Sequence, residues 1–382
     1  MRSSEVRKPA EFTLAATHPR LNAHLSRLLL GCVTVGDFET DVEHSLAALC
    51  QEIGLPTSGY DDDHNGMSAM QKLYSYNEWA DGEIGLCSLG AIAQGLEEDD
   101  EDYEKTAYYT VLMIDNVIDI MEYPFPHLEV TAKARRSIGV GITNLAYDMA
   151  KRGLRYDTLE GKRHIAKVAE RHSYMLHKAA LRLTEERGVC GWTHRTKYPS
   201  GWLPIDTGSA EIRSAVGFDL HYDWEALRAR LKALGGLRFS VLEAHMPCES
   251  SSLASGHTNG LYPIREHKVI KTSGVNKNLF ICPEYDALKD AYQMAWDVPT
   301  KDLIDCYAIV QFFTGQGVSA DIYKRYDPNN RKVSAKALLE EWLYRVKMGM
   351  KTRYYINSAT GVKTADAKAD EKESATCESC AL

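Results

Sequence analysis

The sequence predicts an α/β fold. Helical stretches and short apolar runs alternate along most of the chain, as they do where strands feed into helices. One run, "SIGVGITNLAYDMA" (137–150), passes from a Gly-rich strand or turn straight into a helix. Hydrophobic residues make up 44% and aromatic residues 9% of the 382 positions, enough for a packed core in one large domain or two ordinary ones.

The elements follow in order. Residues 1–48 are mixed, and "LNAHLSRLLLGCV" has the pattern of one short helix. The texture changes at Leu49, where "LCQEIGLPT" carries the Gly and Pro of a strand-and-loop segment; the polar stretch 56–82 predicts a long loop. "KTAYYTVLMIDNVIDIME" (105–122) is apolar all round and predicts a buried helix. "HIAKVAERHSYMLHKAALRLTEERG" (164–188) predicts a long amphipathic helix stopped by Gly188, and "DWEALRARLKALGG" one capped by Asp223 and ended by a Gly pair. "FSVLEAHMP" (239–247) reads as a strand and loop. "TKDLIDCYAIVQFFTG" and "SAKALLEEWLYRVKMGM" read as helices, the second followed by "TRYYIN". After Val362 no aromatic or branched apolar residue appears until Leu382, so 362–382 is expected to be a flexible tail.

Charge and cysteine usage exclude several function classes. The net charge of −8 argues against a nucleic-acid or membrane-surface binder. No run of 18 apolar residues occurs, so no membrane span is expected. "RLLLGCV" resembles a lipoprotein cleavage site, but His18, Arg20 and His24 stand where an apolar signal region would be needed. Nine cysteines, an odd number, then read as reduced thiols in a cytoplasm.

Five constellations carry chemistry. Cys377 and Cys380 form a CxxC on the tail, with neither a second such pair for zinc nor a βαβ setting for a thioredoxin-like site. The tail links Tyr355 to Cys377 by 22 residues. A flexible chain of that length reaches roughly 25 Å, enough to carry electrons to a buried site by thiol–disulfide exchange. Tyr354 and Tyr355 are good strand formers that would face opposite sides of an ideal strand; a stacked, electron-carrying pair needs a local departure from that geometry. Cys50 and Glu52 lie two residues apart and point the same way in an extended segment, so a small substrate could touch both thiol and carboxylate. Cys50 taken alone also fits a small buried hydrophobe. Cys87 follows a short apolar run in "GEIGLCSLG". "MPCESSSLASGHTNG" (246–260) is either an ordinary Ser-rich loop or a phosphate-binding turn at a helix start.

The order of these motifs is specific. "LCQEIxLPT", "GEIGLCSL", "PxESSSxxSxxTNG", a helix followed by "YYxN", and a cysteine-bearing tail together resemble the large, catalytic subunit of class I ribonucleotide reductase. "IGVGITNLA" (138–146) and "GWLPIDT" (201–207) also resemble that family. The resemblance covers about residues 49–382. It implies the second half of a ten-stranded α/β barrel, with a central finger loop carrying the radical cysteine. It implies that Cys50 becomes a thiyl radical that removes the substrate's 3′ hydrogen, and that Glu52 takes the 3′-hydroxyl proton. Cys87 is then one of two buried thiols that reduce the ribose 2′ position. Tyr354 and Tyr355 pass the radical in from a small subunit that holds the metal-radical cofactor, so none is expected to bind this chain directly. Cys377 and Cys380 re-reduce the site and are themselves reduced by thioredoxin or glutaredoxin. Glu249, Ser250 and Ser251 fall in the loop that holds the diphosphate of a ribonucleoside diphosphate.

The chain departs from the family pattern in three places. Only 49 residues precede Cys50, where the family has several hundred, and Cys32, the sole upstream cysteine, lacks the setting of the second buried thiol. Ala48 replaces the usual asparagine, and Cys248 stands where serine or threonine is common. The expectation is a split subunit: 1–48 as an unmatched extension, 49–361 as the C-terminal half of the catalytic barrel, and 362–382 as the redox tail. A separately encoded N-terminal half would complete it, and without that half apolar surface would be left uncovered. The competing expectation is a decayed, non-catalytic fragment that binds and regulates a reductase.

Overall fold

A computed structural model describes residues 85–97, 99–124, 126–273, 276–326 and 334–360. Cys50, Glu52, Cys377 and Cys380 lie outside the described residues, as do both expected domain boundaries. The chain divides into two compact units, 1–86 with 121–134, and 87–120 with 135–382.

In chain order, the first elements are β1 (Ser88–Ala93), α1 (Asp100–Ile120), α2 (Pro126–Arg135) and β2 (Ile138–Thr143). Helices α3 (Leu145–Lys151), α4 (Leu159–Arg187), α5 (Ala210–Val216), α6 (Trp224–Leu234) and α7 (Glu249–Ser255) follow. A hairpin of β3 (Lys268–Ser273) and β4 (Asn276–Ile281) leads to α8 (Tyr285–Leu288) and α9 (Thr300–Phe312). The described chain ends with β5 (Ile322–Tyr326), α10 (Ala335–Lys347) and β6 (Ile356–Thr360). In the smaller unit the described residues are largely those of α2, where Lys133 and Glu129 pair one turn apart at 2.6 Å.

The core of the larger unit is α4 lying between α1 and α9. Its start is capped as a polar-to-apolar boundary requires: the Thr158 hydroxyl accepts the Gly161 N–H at 3.2 Å. Gly188, at φ 80°, ends it. The Asp223 cap of α6 is likewise present, accepting from the Ala226 N–H at 2.9 Å. The buried side of α1 is Tyr103, Val111, Ile114 and Ile118. Its other side exposes Tyr109, Met113, Val117 and Ile120, so this helix is apolar all round without being buried all round.

Strand β2 is buried at every residue. It pairs in parallel with β1 from Ser88↔Ile138 to Ala93↔Thr143. On its other side the extended segment 241–243 accepts its N–H groups, Ile138 to Val241 at 2.9 Å and Val140 to Leu242 at 3.1 Å. A parallel strand covered on both faces reads as an uninterrupted apolar run, and β2 does. Its glycines follow from close approach: a Cβ on Gly139 would lie 2.7 Å from Leu89 and 2.8 Å from Ala244, and one on Gly141 2.6 Å from the Ala244 carbonyl oxygen.

The α/β class is therefore borne out. Among the described residues the six strands pair two by two, β1–β2, β3–β4 and β5–β6, and do not close into a barrel. The finger expected around Cys50 falls outside the described residues. The segment "FSVLEAHMP" bridges β2 only at Val140↔Glu243 and is extended rather than a full strand.

Candidate functional site

The carboxyl end of β2 is where the chain anchors its Ser-rich turn. Asn144 follows β2 in the left-handed region, at φ 66°. From there its amide donates to the Gln94 carbonyl at 2.9 Å, and its Oδ1 accepts the Thr258 N–H at 3.0 Å. The Asn144 N–H donates to the Thr258 carbonyl at 2.9 Å. The Thr143 hydroxyl donates to the same carbonyl at 3.0 Å and accepts the Gly260 N–H at 3.2 Å. These bonds staple "HTNG" to the sheet. Asparagine is one of the few residues that adopts this backbone conformation readily, which explains "TNLA" after the strand.

Asn259 closes the turn. Its Oδ1 accepts the Cys248 N–H at 2.6 Å and its amide donates to Glu249 at 3.1 Å. Arg265 pairs with the same Glu249 oxygen at 3.1 Å. Ser250 and Ser251 are exposed on the first turn of α7, and Ser252 is buried. The Cys248 thiol is buried, which pushes its pKa up. No hydroxyl is therefore offered at that position.

A second path leads from the turn to the tyrosine pair. The buried Tyr262 donates its hydroxyl proton to the Ser319 carbonyl at 2.7 Å. The next residues hold the tyrosines: the Tyr354 N–H donates to the Ala320 carbonyl at 3.2 Å, and the Tyr355 N–H to Asp321 Oδ1 at 3.2 Å. Asp321 Oδ2 accepts the Asn357 amide at 3.0 Å. Burial pushes the Asp321 carboxyl pKa up, against the pull of these two donors. Arg265 and Glu249 also act on it, which ties the tyrosine segment electrostatically to the Ser-rich turn.

Residues 351–355 are not strand; β6 begins only at Ile356. Released from strand alternation, the rings of Tyr354 and Tyr355 lie 4.1 Å apart between centroids, with planes at 53°. Both are partly exposed, at 40% and 47%. The rings are in contact outside strand geometry, tilted rather than stacked.

Cys87 follows its short apolar run and lies immediately before β1. Its side chain retains exposure, yet enough protein surrounds the sulfur that burial raises the thiol pKa to about 11. It sits beside Gly139, whose absent Cβ would stand 3.3 Å from Sγ. Cys87 is thus at the amino end of β2 and the Ser-rich turn at its carboxyl end, separated by roughly 17 Å of strand. The structure brings together Glu249, Ser250 and Ser251, links them to Tyr354 and Tyr355, and sets Cys87 apart. Sequence reasoning missed Asn144, Arg265, Tyr262 and Asp321. Only the asparagine after a Gly-rich strand carried a local signal.

Comparison with known proteins gives a consistent answer. The ribonucleotide reductase barrel domain matches residues 44–285 and 282–356. A ribonucleoside-diphosphate reductase subunit alpha from Haemophilus influenzae is 37% identical over 329 residues, 85% of this chain and 41% of that protein. The ribonucleoside-diphosphate reductase 1 subunit alpha of Escherichia coli is 39% identical over 252 residues, 65% of this chain and 33% of that protein. The subunit alpha of Enterobacteria phage T4 is 32% identical over 342 residues, 87% of this chain and 42% of that protein. The chain spans between one-third and about two-fifths of the length of these relatives.

Proposed function

The chain belongs to the ribonucleotide reductase family and carries its barrel domain, and from that premise we propose that it is the catalytic part of a ribonucleoside-diphosphate reductase. On this reading it converts ribonucleotides to 2′-deoxyribonucleotides by thiyl-radical chemistry. The chain spans about two-fifths of such relatives, and the rest of the catalytic subunit completes the site. A small subunit holding the metal-radical cofactor generates the radical, and thioredoxin or glutaredoxin supplies electrons in the cytoplasm. Among the described residues no helix is long and apolar enough to cross a membrane.

The roles follow the chemistry of the residues. Cys50 carries the sulfur radical and abstracts the 3′ hydrogen; Glu52 accepts the 3′-hydroxyl proton. Cys87, with a second thiol, supplies two electrons at the 2′ position and ends in a disulfide. Cys377 and Cys380 reopen that disulfide by exchange and become oxidised in turn. Ser250, Ser251 and the turn held by Glu249 receive the diphosphate.

The observation that carries the reading is the packing of Tyr354 on Tyr355 in a segment freed from strand geometry and bonded to Ala320 and Asp321. Oxidisable side chains in contact are what radical transport needs. The test mixes this chain, the missing portion and the small subunit, and measures deoxynucleotide formation from a ribonucleoside diphosphate. Activity is expected only with all three, and Cys50→Ser should abolish it without preventing assembly. Normal turnover by that variant would overturn the mechanism.

A further inference from the structure

A polar cluster with no place in this chemistry lies inside the larger unit, where the sequence reading placed nothing. Glu243 and His245 are two residues apart on the extended segment beside β2, so their side chains share a face. His172 reaches them from α4. All three are buried, at 4%, 2% and 0% exposure. Their ligand-type atoms lie within 4.8 Å of one another, and His245 Nε2 is 2.8 Å from Glu243 Oε1.

We propose that His172, Glu243 and His245 form a buried site for one divalent transition-metal ion.

The hydrogen-bond inventory supports this. Glu243 Oε2 and His245 Nδ1 are both buried without a hydrogen-bond partner. Native proteins rarely leave such atoms unmatched, and an unoccupied ligand position is one reason they do. The ionisable groups acting on the Glu243 carboxyl are His172 and His177; neither lysine nor arginine contributes. A metal ion would supply the missing positive charge. Both imidazoles are buried, which disfavours the charged form. Neutral imidazole is the form that ligates.

His172 also has an orienting partner of the kind metal-bound histidines use. Its Nδ1 is 2.7 Å from the Tyr103 hydroxyl, which in turn accepts the Gln94 amide at 2.9 Å. To ligate through Nε2, His172 would give up the 3.2 Å contact of this nitrogen with the Val140 carbonyl oxygen, with Nδ1–H donating to Tyr103. Two nitrogens and a carboxylate, without sulfur, suit zinc or its first-row neighbours better than calcium or magnesium. Ligand atoms around a tetrahedral zinc are about 3.4 Å apart, so binding would close the widest separation by about an ångström and open the 2.8 Å His245–Glu243 pair slightly. The consequence is mechanical. The segment 243–245 runs directly into Met246–Glu249, so the ion would clamp the entry to the Ser-rich turn against α4.

The test uses the full chain with Cys377→Ser and Cys380→Ser, so that tail thiols do not bind metal. The protein is stripped with a chelator, verified as folded by circular dichroism, and titrated with Co²⁺. About one Co²⁺ per chain is expected, with visible ligand-field bands, no sulfur-to-cobalt charge-transfer band, and bleaching by Zn²⁺. Glu243→Gln and His245→Gln should each weaken binding about 10–100-fold. Should either variant fail to fold, the parent chain still decides: Zn²⁺ should raise its melting temperature reversibly, and chelation should lower it. Folded protein that takes up no Co²⁺, a spectrum dominated by sulfur, unchanged affinity in folded variants, or a melting temperature indifferent to Zn²⁺ would each overturn the site.

Discussion

Tyr354 and Tyr355, neighbours in sequence, place their ring centroids 4.1 Å apart, a separation that alternating strand side chains do not reach. The backbone of the pair is held along one segment, Tyr354 by the Ala320 carbonyl and Tyr355 by Asp321. Tyr354→Phe and Tyr355→Phe retain the rings and remove the oxidisable phenol. Each is expected to reduce deoxynucleotide formation in the complete assembly to background. Because both rings are partly exposed, the unfolding free energy should change by no more than about 0.5 kcal/mol. Chromatographic product analysis and urea melts of the same preparations check this, and wild-type turnover by either variant would remove the pair from the radical route.

The tyrosines were legible as candidates because two oxidisable residues stood together; their ring contact was not, since "TRYYIN" has strand propensity throughout. Helix α4 and the β2–α3 turn were legible for local reasons, a cap, a glycine stop and a Gly-rich apolar run. The hairpin β3–β4 was missed because its polar residues blur the period of two. The exposure of Tyr109, Met113 and Val117 on α1 could not be read, since an apolar residue does not announce what will cover it. The cluster of His172, Glu243 and His245 was invisible because its members come together only when α4 packs on the sheet. Local patterning offered Cys377 and Cys380 as an electron-carrying dithiol and Cys50 with Glu52 as a thiol–carboxylate pair; resemblance supplied the radical role of Cys50 and the substrate positions on which they act.

The Cys87 thiol offers a direct chemical readout. Burial raises its pKa from 9.0 to about 11. The thiolate is the reacting species, so at neutral pH its population is lower by about 100-fold than at an unperturbed site. Iodoacetamide labelling of the isolated chain, followed by mass spectrometry of the Cys87 peptide, should show slow modification at neutral pH and a rate rising with pH toward a midpoint near 11. A midpoint near 9 would show that the sulfur is solvated and that its setting beside Gly139 is wrong.

Asp115 is the anchor of the α1 edge. Fully buried, it accepts Arg136 Nε at 2.5 Å, Arg238 Nε at 2.8 Å and Arg187 Nη1 at 2.7 Å. Asp119 also binds Arg136, but Arg238 has no other carboxylate among its described bonds. Asp115→Ala leaves buried guanidinium charge without compensation, and a loss of about 3–5 kcal/mol is expected. Glu129→Ala, which removes an exposed pair with Lys133, should cost about 0.5 kcal/mol or less. Chemical denaturation of the two variants in parallel tests the contrast, and equal effects would contradict it.

Asp148 sets part of the acid limit of stability. Burial would raise its pKa, but hydrogen bonds from His164 at 2.5 Å and Arg152 at 2.9 Å outweigh that and hold it below 3.8. A carboxyl whose pKa is lower in the folded than in the unfolded chain binds fewer protons when folded. Its stabilisation is therefore complete above the unfolded value, about 4, and is lost as pH falls below it through the folded value. Asp148→Asn cannot titrate, so its unfolding free energy should fall less steeply than that of the parent below about pH 4. Urea denaturation at a series of pH values compares the slopes. Coincident slopes would mean that the His164–Asp148–Arg152 arrangement does not exist in solution.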